Sequence, residues 1–186
     1  MSQHLSEQEQ IRREKLTTLQ QLGIDPFPAP LYPVNTTTVT IKENYKGEEN
    51  KAEFADVCIA GRLMSIRDMG KAAFAVIQDS VGKIQVYIKR DEICPGEDKT
   101  MYDQVFKKLL DIGDIVGVKG YVFTTKVGEV SIHVSELTLL TKSLKPLPIV
   151  KEKDGETFDE VTDPEFRYRQ RYADLIVNPH VKEVFV

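Results

Sequence analysis

The amino-acid sequence predicts a mainly β protein: a five-stranded barrel with an N-terminal helix, an inter-strand helix and a C-terminal helical linker. Three observations support this prediction. Between residues 54 and 142, five stretches place apolar residues at every second position, which is typical of strands buried on one face. A short amphipathic helix pattern separates the third stretch from the fourth. Gly61, Gly117 and Gly120 suit the sharp coiling of strands in a small barrel.

Composition and charge limit the possible functions. The chain has 186 residues, of which 41% are apolar and 29% are charged, a balance typical of a soluble globular protein. Its net charge of −4 argues against a protein that coats nucleic acids non-specifically, so any nucleic-acid site must be local. We expect no membrane span, because the sequence lacks any apolar run of about 18 residues or more.

Cysteine and histidine spacing predicts neither a metal site nor a secreted protein. Cys58 and Cys94 lack the spacing of metal ligands, and no signal peptide is recognisable before them. His4, His133 and His180 lie far apart, without partners at metal-ligand spacing. We therefore expect a reduced, cytoplasmic protein without a bound metal.

A helix is predicted over residues 7–22, because Ser6 and Glu9 have the spacing of a capping box and Gly23 follows. The helix carries a basic cluster of Arg12, Arg13 and Lys15. A solvated helix docked by a few leucines is favoured over a basic helix that contacts RNA. Residues 24–53 are predicted to form an extended connection with a short helix or turn, so residues 1–53 make the first region.

Residues 70–90 predict a β-hairpin whose two faces differ in chemistry. A four-residue loop over residues 79–82 sets Val76 opposite Gln85 and Phe74 opposite Tyr87. The face expected inside the barrel is apolar, with Ala73, Ala75, Ile77, Ile84, Val86 and Ile88. The outer face mixes aromatic rings, amides and ammonium groups, so it suits either a binding partner or water.

The remaining elements complete the barrel over residues 54–142. A long first strand contains Gly61, which indicates a bend or bulge. Thr100 and Asp103 have capping-box spacing at the start of the helix before the last two strands. Three strands, a helix and two strands is the element order of the OB-fold, a partly open barrel that binds oligonucleotides or oligosaccharides on one face.

Residues 143–186 are predicted to hold a linker and the start of a further domain. Asp163 and Pro164 have the chemistry of a helix start, and Asn178 with Pro179 opens another helix. Because that helix has only begun at the last residue, we expect the chain to be a piece of a longer protein.

Single-stranded nucleic acid is the first partner to consider for an OB-fold, since aromatic rings stack on bases while amides and charged groups read their edges. On the polar hairpin face, Phe74 and Gln85 have this chemistry. Glu129 and His133 form a second polar stripe in the last strand, and Arg67 ends the first strand near the same surface. The pattern alone balances binding against structural roles, with Phe74 closing the barrel end and the others solvated.

Three sequence blocks resemble the N-terminal region of class II lysyl-tRNA synthetases: "RLMSIRDMGKAAFAVIQDSVGKIQVYIKRD", "GDIVGVKGYVFTTKVGEVSIHVSELTLLTKSLKPLP" and "RYRQRYADLIVNP". The resemblance covers almost the whole chain and implies an anticodon-binding OB-fold over residues 54–142. In that family the anticodon UUU or CUU is read chiefly through its uridines. By motif position, Phe74 resembles the ring that stacks on the middle uridine. Arg67, Gln85 and Glu129 resemble the groups that hydrogen-bond anticodon bases.

The same resemblance implies what the full-length enzyme does. It would bind the tRNA(Lys) anticodon arm, form lysyl-adenylate from lysine and ATP with magnesium, and act as a cytoplasmic homodimer. None of the three class II motifs lies in this chain, so we expect it to be non-catalytic, with no cofactor site. A free-standing single-stranded nucleic-acid-binding module and the anticodon domain of an aspartyl- or asparaginyl-tRNA synthetase are the alternatives. The third block favours the lysyl type.

Overall fold

The computed structural model describes residues 5–148, 151–153, 156–158 and 164–185. The chain divides into two compact units, Met1–Lys145 and Pro146–Val186. None of the helices in the described residues combines the length and the apolar character needed to cross a membrane.

The first unit is built on a closed barrel of five strands in the order β1-β2-β3-β5-β4. The pairing of β3 with β5 is parallel, and the other pairings are antiparallel. The predicted mainly β fold with a five-stranded OB-fold barrel is therefore confirmed. The strands are β1 Val57–Asp68, β2 Ala72–Gln78, β3 Lys83–Lys89, β4 Ile115–Thr124 and β5 Val130–Thr141.

The β2–β3 hairpin has the predicted register, with Phe74 opposite Tyr87 and Val76 opposite Gln85. The six apolar residues of its inner face are all buried, because alternation along both strands directs them into the barrel. The turn is fixed by the Asp79 carboxylate, which accepts hydrogen bonds from the backbone N–H groups of Val81 and Gly82. Parity and turn together determine which side chains face outward.

Register shifts between neighbouring strands shape the barrel. In β1 the register shifts between Leu63 and Ser65 and not at Gly61, where the sequence indicated a bend or bulge. Gly61 instead allows the backbones of β1 and β2 to approach each other closely. A Cβ at this position would lie only 2.5 Å from the carbonyl oxygen of Gln78. In β4 the register shifts next to Gly120, where a Cβ would collide with the backbone carbonyl oxygen of His133.

The N-terminal helix α1, Glu7–Gln21, has the predicted capping box. Arg12 is buried and donates to the carbonyl oxygens of Ile112 at 2.9 Å and Ser143 at 3.0 Å. Lys15 Nζ lies 2.6 Å from Asp111 Oδ1. Two of the three cations in the basic cluster are therefore used to dock α1, which extends the expectation that a few leucines hold it.

The segment after α1 contains the expected short helix, α2 Thr38–Asn44, and two 3₁₀ turns, Gly47–Glu49 and Lys51–Phe54. The backbone N–H of Thr38 donates to Asp79 Oδ2 at 2.7 Å, and the Thr38 hydroxyl donates to Asp79 Oδ1 at 2.9 Å. These bonds join α2 to the β2–β3 turn.

A short helix α3, Arg90–Ile93, and a π-helix, Met101–Leu109, separate β3 from β4. The capping box predicted for Thr100 and Asp103 is wrong. Thr100 already has helical dihedral angles, and its backbone N–H donates to the Asp98 carboxylate at 2.8 Å, so Asp98 takes the capping role. The helix is wider than an α-helix, because the N–H of Leu110 donates to the carbonyl oxygen of Val105, five residues back.

The π-helix also fixes the β1–β2 turn. Burial raises the pKa of Tyr102 to about 12, so its phenol stays protonated and donates to the carbonyl oxygen of Gly70 at 3.1 Å. Gly70 has φ +88°, a conformation that favours glycine. The turn therefore places the end of β1 opposite the start of β2.

Residues 143–163, expected to be a linker, include a two-stranded sheet in the second unit, with strands β6 Lys151–Lys153 and β7 Glu156–Phe158. Three helices follow: α4 Pro164–Arg169, α5 Arg171–Val177 and α6 Pro179–Phe185. The single helix predicted after Pro164 is interrupted at Gln170, whose backbone is not helical. The expected N-cap Asp163 lies outside the described residues. The helix start predicted at Asn178 and Pro179 is confirmed.

Candidate nucleic-acid interface

One outward-facing residue from each barrel strand lies in a single row across the sheet. Strand register makes these residues successive neighbours, because every one of them alternates with a residue directed into the barrel. We call this set the aromatic row: Arg67 of β1, Phe74 of β2, Tyr87 of β3, His133 of β5 and Tyr121 of β4.

Members of the aromatic row contact one another in sequence. The guanidinium carbon of Arg67 lies 5.3 Å from the Phe74 ring centroid, and the Phe74 and Tyr87 centroids are 4.9 Å apart. Tyr87 meets His133 edge to face at 5.1 Å. His133 and Tyr121 stack almost parallel, with centroids 4.8 Å apart and an interplanar angle of 7°. The row therefore offers ring faces and edges along one continuous surface.

Gln85 lies on the same face as the aromatic row, two residues before Tyr87 in β3. Its neighbours across the strands are Val76 and Ser131. The amide oxygen Oε1 is buried and accepts no hydrogen bond from any residue in the described part of the chain. An unsatisfied buried acceptor is costly, so turning the amide outward to a molecule that offers an N–H donor would recover free energy on binding.

Glu129 lies just before β5, at the edge of this surface. Its side chain is about half exposed, and its carboxylate is 3.8 Å from Lys42 Nζ of α2. Of the four residues expected to bind bases, Arg67 and Phe74 are in direct contact, and Gln85 shares their face. The ion-pair partner of Glu129 is Lys42, not one of the other three.

His133 lies near the middle of the aromatic row, and one of its ring nitrogens contacts a carboxylate. Its Nδ1 is 2.8 Å from a carboxylate oxygen of Glu92, which also pairs with Lys89 Nζ at 2.7 Å. Burial lowers the pKa of His133, the Glu92 carboxylate raises it and Lys89 lowers it, so the pKa lies below its ordinary value. The imidazole is therefore neutral near pH 7 and adds a ring without adding a charge.

Sequence reasoning missed Tyr121, Phe123 and Glu92 at this site. Tyr121 and Phe123 alternate with the fully buried Val122, so the same period of two that predicted the hairpin face contains the signal for them. Glu92 had no such signal, because it lies in α3 and reaches His133 only through the fold.

The described residues contain no group of three or more His, Cys, Asp or Glu side chains placed to hold a metal ion. Cys58 and Cys94 are both buried and free of disulfide bonds. This face therefore combines aromatic rings with the charged and amide side chains of Arg67, Gln85, Lys89, Glu92 and Glu129.

Comparison with known proteins agrees with this geometry. Residues 57–140 match the tRNA_anti-codon family, described as an OB-fold nucleic acid binding domain. The matched range runs from the start of β1 almost to the end of β5, so it includes every strand of the aromatic row.

Over almost its whole length, the chain is also similar to lysine–tRNA ligases. It is 60% identical over 182 residues to the enzyme of Porphyromonas gingivalis strain W83, covering 98% of this chain and 31% of that protein. It is 60% identical over 185 residues to the enzyme of Christiangramia forsetii, covering 99% of this chain and 32% of that protein. The relative in Azobacteroides pseudotrichonymphae is 56% identical over 182 residues, which cover 98% of this chain and 36% of that protein.

The resemblance to lysyl-tRNA synthetases is thereby confirmed. The chain spans about a third of the length of these relatives. The residues that match the OB-fold nucleic acid binding domain lie within this shared part.

Proposed function

We propose that this chain is the anticodon-binding region of a lysine–tRNA ligase and that four residues on or beside its aromatic row read the uridines of the tRNA(Lys) anticodon: Arg67, Phe74, Gln85 and Glu129. The observation that carries the proposal is the contact of Arg67 with Phe74 beside the unsatisfied acceptor of Gln85, on the outer face of a nucleic-acid-binding barrel. The homologous ligases support the choice of tRNA(Lys) as the RNA.

The chemistry of uracil matches the side chains of the site. Phe74 is only half-buried, so part of its ring is free to stack on the middle base of the anticodon. Uracil has one N–H donor and two carbonyl acceptors, and Gln85 Oε1 is the acceptor that lacks a donor. Arg67 has the N–H groups to donate to a carbonyl, and the Glu129 carboxylate is a second acceptor for an N–H group. The four predicted residues thus supply one stacking ring, one donor and two acceptors.

The domain organisation follows from this proposal. Residues 1–53 brace the barrel, residues 54–142 bind the anticodon, and residues 143–186 lead into a class II catalytic domain. In the full-length cytoplasmic enzyme, a homodimer, that domain would bind ATP and magnesium and form lysyl-adenylate. No residue of this chain takes part in that reaction, so we expect the chain alone to be non-catalytic.

Fluorescence titration of the chain with labelled anticodon stem–loops tests the proposal. The loops carry UUU, the aspartate anticodon GUC, or a scrambled triplet in the same stem. We expect the UUU loop to bind most tightly, with an affinity that falls as salt is added, because some phosphate contacts release counterions. Equal affinity for all three loops would contradict anticodon recognition and favour a general single-stranded nucleic-acid-binding module. A preference for GUC would favour an aspartyl-type domain.

A further inference from the structure

A groove opens beside Tyr121, the β4 member of the aromatic row. It has a volume of about 370 Å³, and its walls include Tyr45, Glu48, Lys51, Tyr121 and Phe123. Ligand sites in proteins have volumes of about 300 to 1,000 Å³, so the groove has room for a single nucleotide. None of the four residues expected to read the anticodon lines it.

The Tyr121 ring is available to a ligand on one side. His133 covers one face of the ring by parallel stacking, and the tyrosine is nevertheless 39% exposed. His133 itself is only 9% exposed, so the stack presents Tyr121 as its outer layer. Because the ring is already held flat by His133, a base that stacks on it needs little further ordering of the protein.

The rest of the groove supplies a fixed wall and a charge. Tyr45 is held edge to face against Phe54, with ring centroids 5.6 Å apart. At the rim, Lys51 Nζ lies 3.2 Å from Glu48 in an exposed ion pair. Exposed pairs of this kind contribute little to stability, so Lys51 can leave Glu48 and pair with a phosphate at a small cost in free energy.

We propose that this groove binds one unpaired nucleotide that flanks the anticodon triplet, with its base stacked on Tyr121 and its phosphate beside Lys51. The inference rests on the proposed function, because the groove continues the aromatic row on which the triplet would lie. Continuity also selects the occupant: a strand that crosses from Phe74 over Tyr87 and His133 reaches Tyr121 next. The RNA-binding surface is then wider than the four residues that read the triplet.

The test uses UUU stem–loops in which each loop nucleotide outside the triplet is made abasic in turn. They are titrated against the wild-type chain, Tyr121→Ala and Tyr121→Phe. One abasic position should weaken wild-type binding by roughly 5- to 140-fold, the factor for one stacked base. The same position should have no effect on Tyr121→Ala, which binds the intact loop more weakly by a similar factor. Tyr121→Phe keeps the ring and should bind like the wild type.

Two controls separate this inference from the proposed function. Tyr172→Ala removes an exposed tyrosine of the second unit and should leave binding unchanged. Phe74→Ala should weaken binding of every loop that carries the triplet. If Phe74→Ala weakens binding while Tyr121→Ala does not, the groove inference is wrong and the proposed function stands. If neither substitution affects binding of the UUU loop, both fail. Circular dichroism of each variant confirms that it is folded.

Discussion

The guanidinium of Arg67 lies over the ring of Phe74, with its central carbon 5.3 Å from the ring centroid. The two residues are directly opposed across β1 and β2, and Tyr87 supports the ring from β3. The half-buried Phe74 is therefore held in one orientation before any RNA arrives, and binding need not order it.

Replacement of Phe74 by alanine is the most direct test of the stacking role. Phe74→Ala should weaken binding of the UUU stem–loop by roughly 1 to 3 kcal/mol, the contribution of one stacked base. It should lower the free energy of unfolding by only about 1 kcal/mol, because the ring pair with Tyr87 is lost while the barrel interior is untouched. RNA titration and urea unfolding of the same variant measure both quantities.

Phe74→Tyr serves as the control, since it keeps the ring and should retain most of the affinity. A loss of stability of about 3 to 5 kcal/mol for Phe74→Ala, with unchanged affinity per folded molecule, would identify the ring as part of the core and contradict the assignment.

Gln85 should distinguish uridine from N3-methyluridine through a single acceptor atom, Oε1. With a UUU loop in which the uridines are replaced one at a time by N3-methyluridine, the wild type should lose about 1 to 3 kcal/mol of binding at one position, where Oε1 is left without its donor. Gln85→Leu should bind the methylated and unmethylated loops equally. Its stability should stay within about 1 kcal/mol of the wild type, because Oε1 accepts no hydrogen bond from the described residues.

The exposed Gln104→Leu is the matched control and should keep the wild-type discrimination. Discrimination that survives in Gln85→Leu would show that another group accepts the uracil N–H.

The barrel and the hairpin face were predictable because they depend on a period of two. Once alternation assigns Val86 to the interior, Gln85 and Tyr87 must face outward, and the turn length sets the partners. The capping role of Asp98 and the bulge after Leu63 were not predictable, since each depends on local backbone geometry that several neighbouring residues are able to provide.

The site was predictable in part for the same reason. Strand parity placed Phe74 and Gln85, but it does not tell which strands become neighbours when the barrel closes. The pairing of β3 with β5 brings His133 to Tyr87, and that of β4 with β5 brings Tyr121 to His133. Tyr87 and His133 are more than 40 positions apart in the sequence, so a local pattern has no information about their pairing.

Lys142 should be essential for stability. Its ammonium is fully buried, 2.6 Å from Asp111 Oδ2 and 2.8 Å from Asp114 Oδ2. Burial raises the pKa of Asp114, and the opposing influence of Lys142 only partly offsets this. Lys142→Met leaves these carboxylates without their buried cation and should cost about 3 to 5 kcal/mol in urea unfolding.

Adding Asp114→Asn to Lys142→Met should recover part of that loss, because the buried negative charge is removed. Lys108→Met, at an exposed position of the π-helix, should change stability by less than about 0.5 kcal/mol. Equal stabilities for the two single variants would show that Lys142 does not hold a buried ion network.

Asp79 should make the stability of the hairpin depend on pH. Burial raises the pKa of Asp79, but hydrogen bonds from Thr38, Val81 and Gly82 outweigh this and leave the pKa below its ordinary value. The unfolded chain therefore binds this proton more readily than the folded chain. The stabilisation is complete above the unfolded pKa of about 3.9 and is lost as the pH falls through the lower folded pKa.

Asp79→Asn should consequently lower the free energy of unfolding at pH 7 by about 1 to 3 kcal/mol and flatten its decline in acid, as measured by urea unfolding between pH 7 and pH 3. Thr38→Val removes the hydroxyl that donates to the carboxylate and should have a smaller effect in the same direction. Because the Asp79 turn sets the register that pairs Val76 with Gln85, Asp79→Asn should also weaken binding of the UUU loop. An unchanged pH profile in Asp79→Asn would show that the carboxylate does not stabilise the turn through its charge.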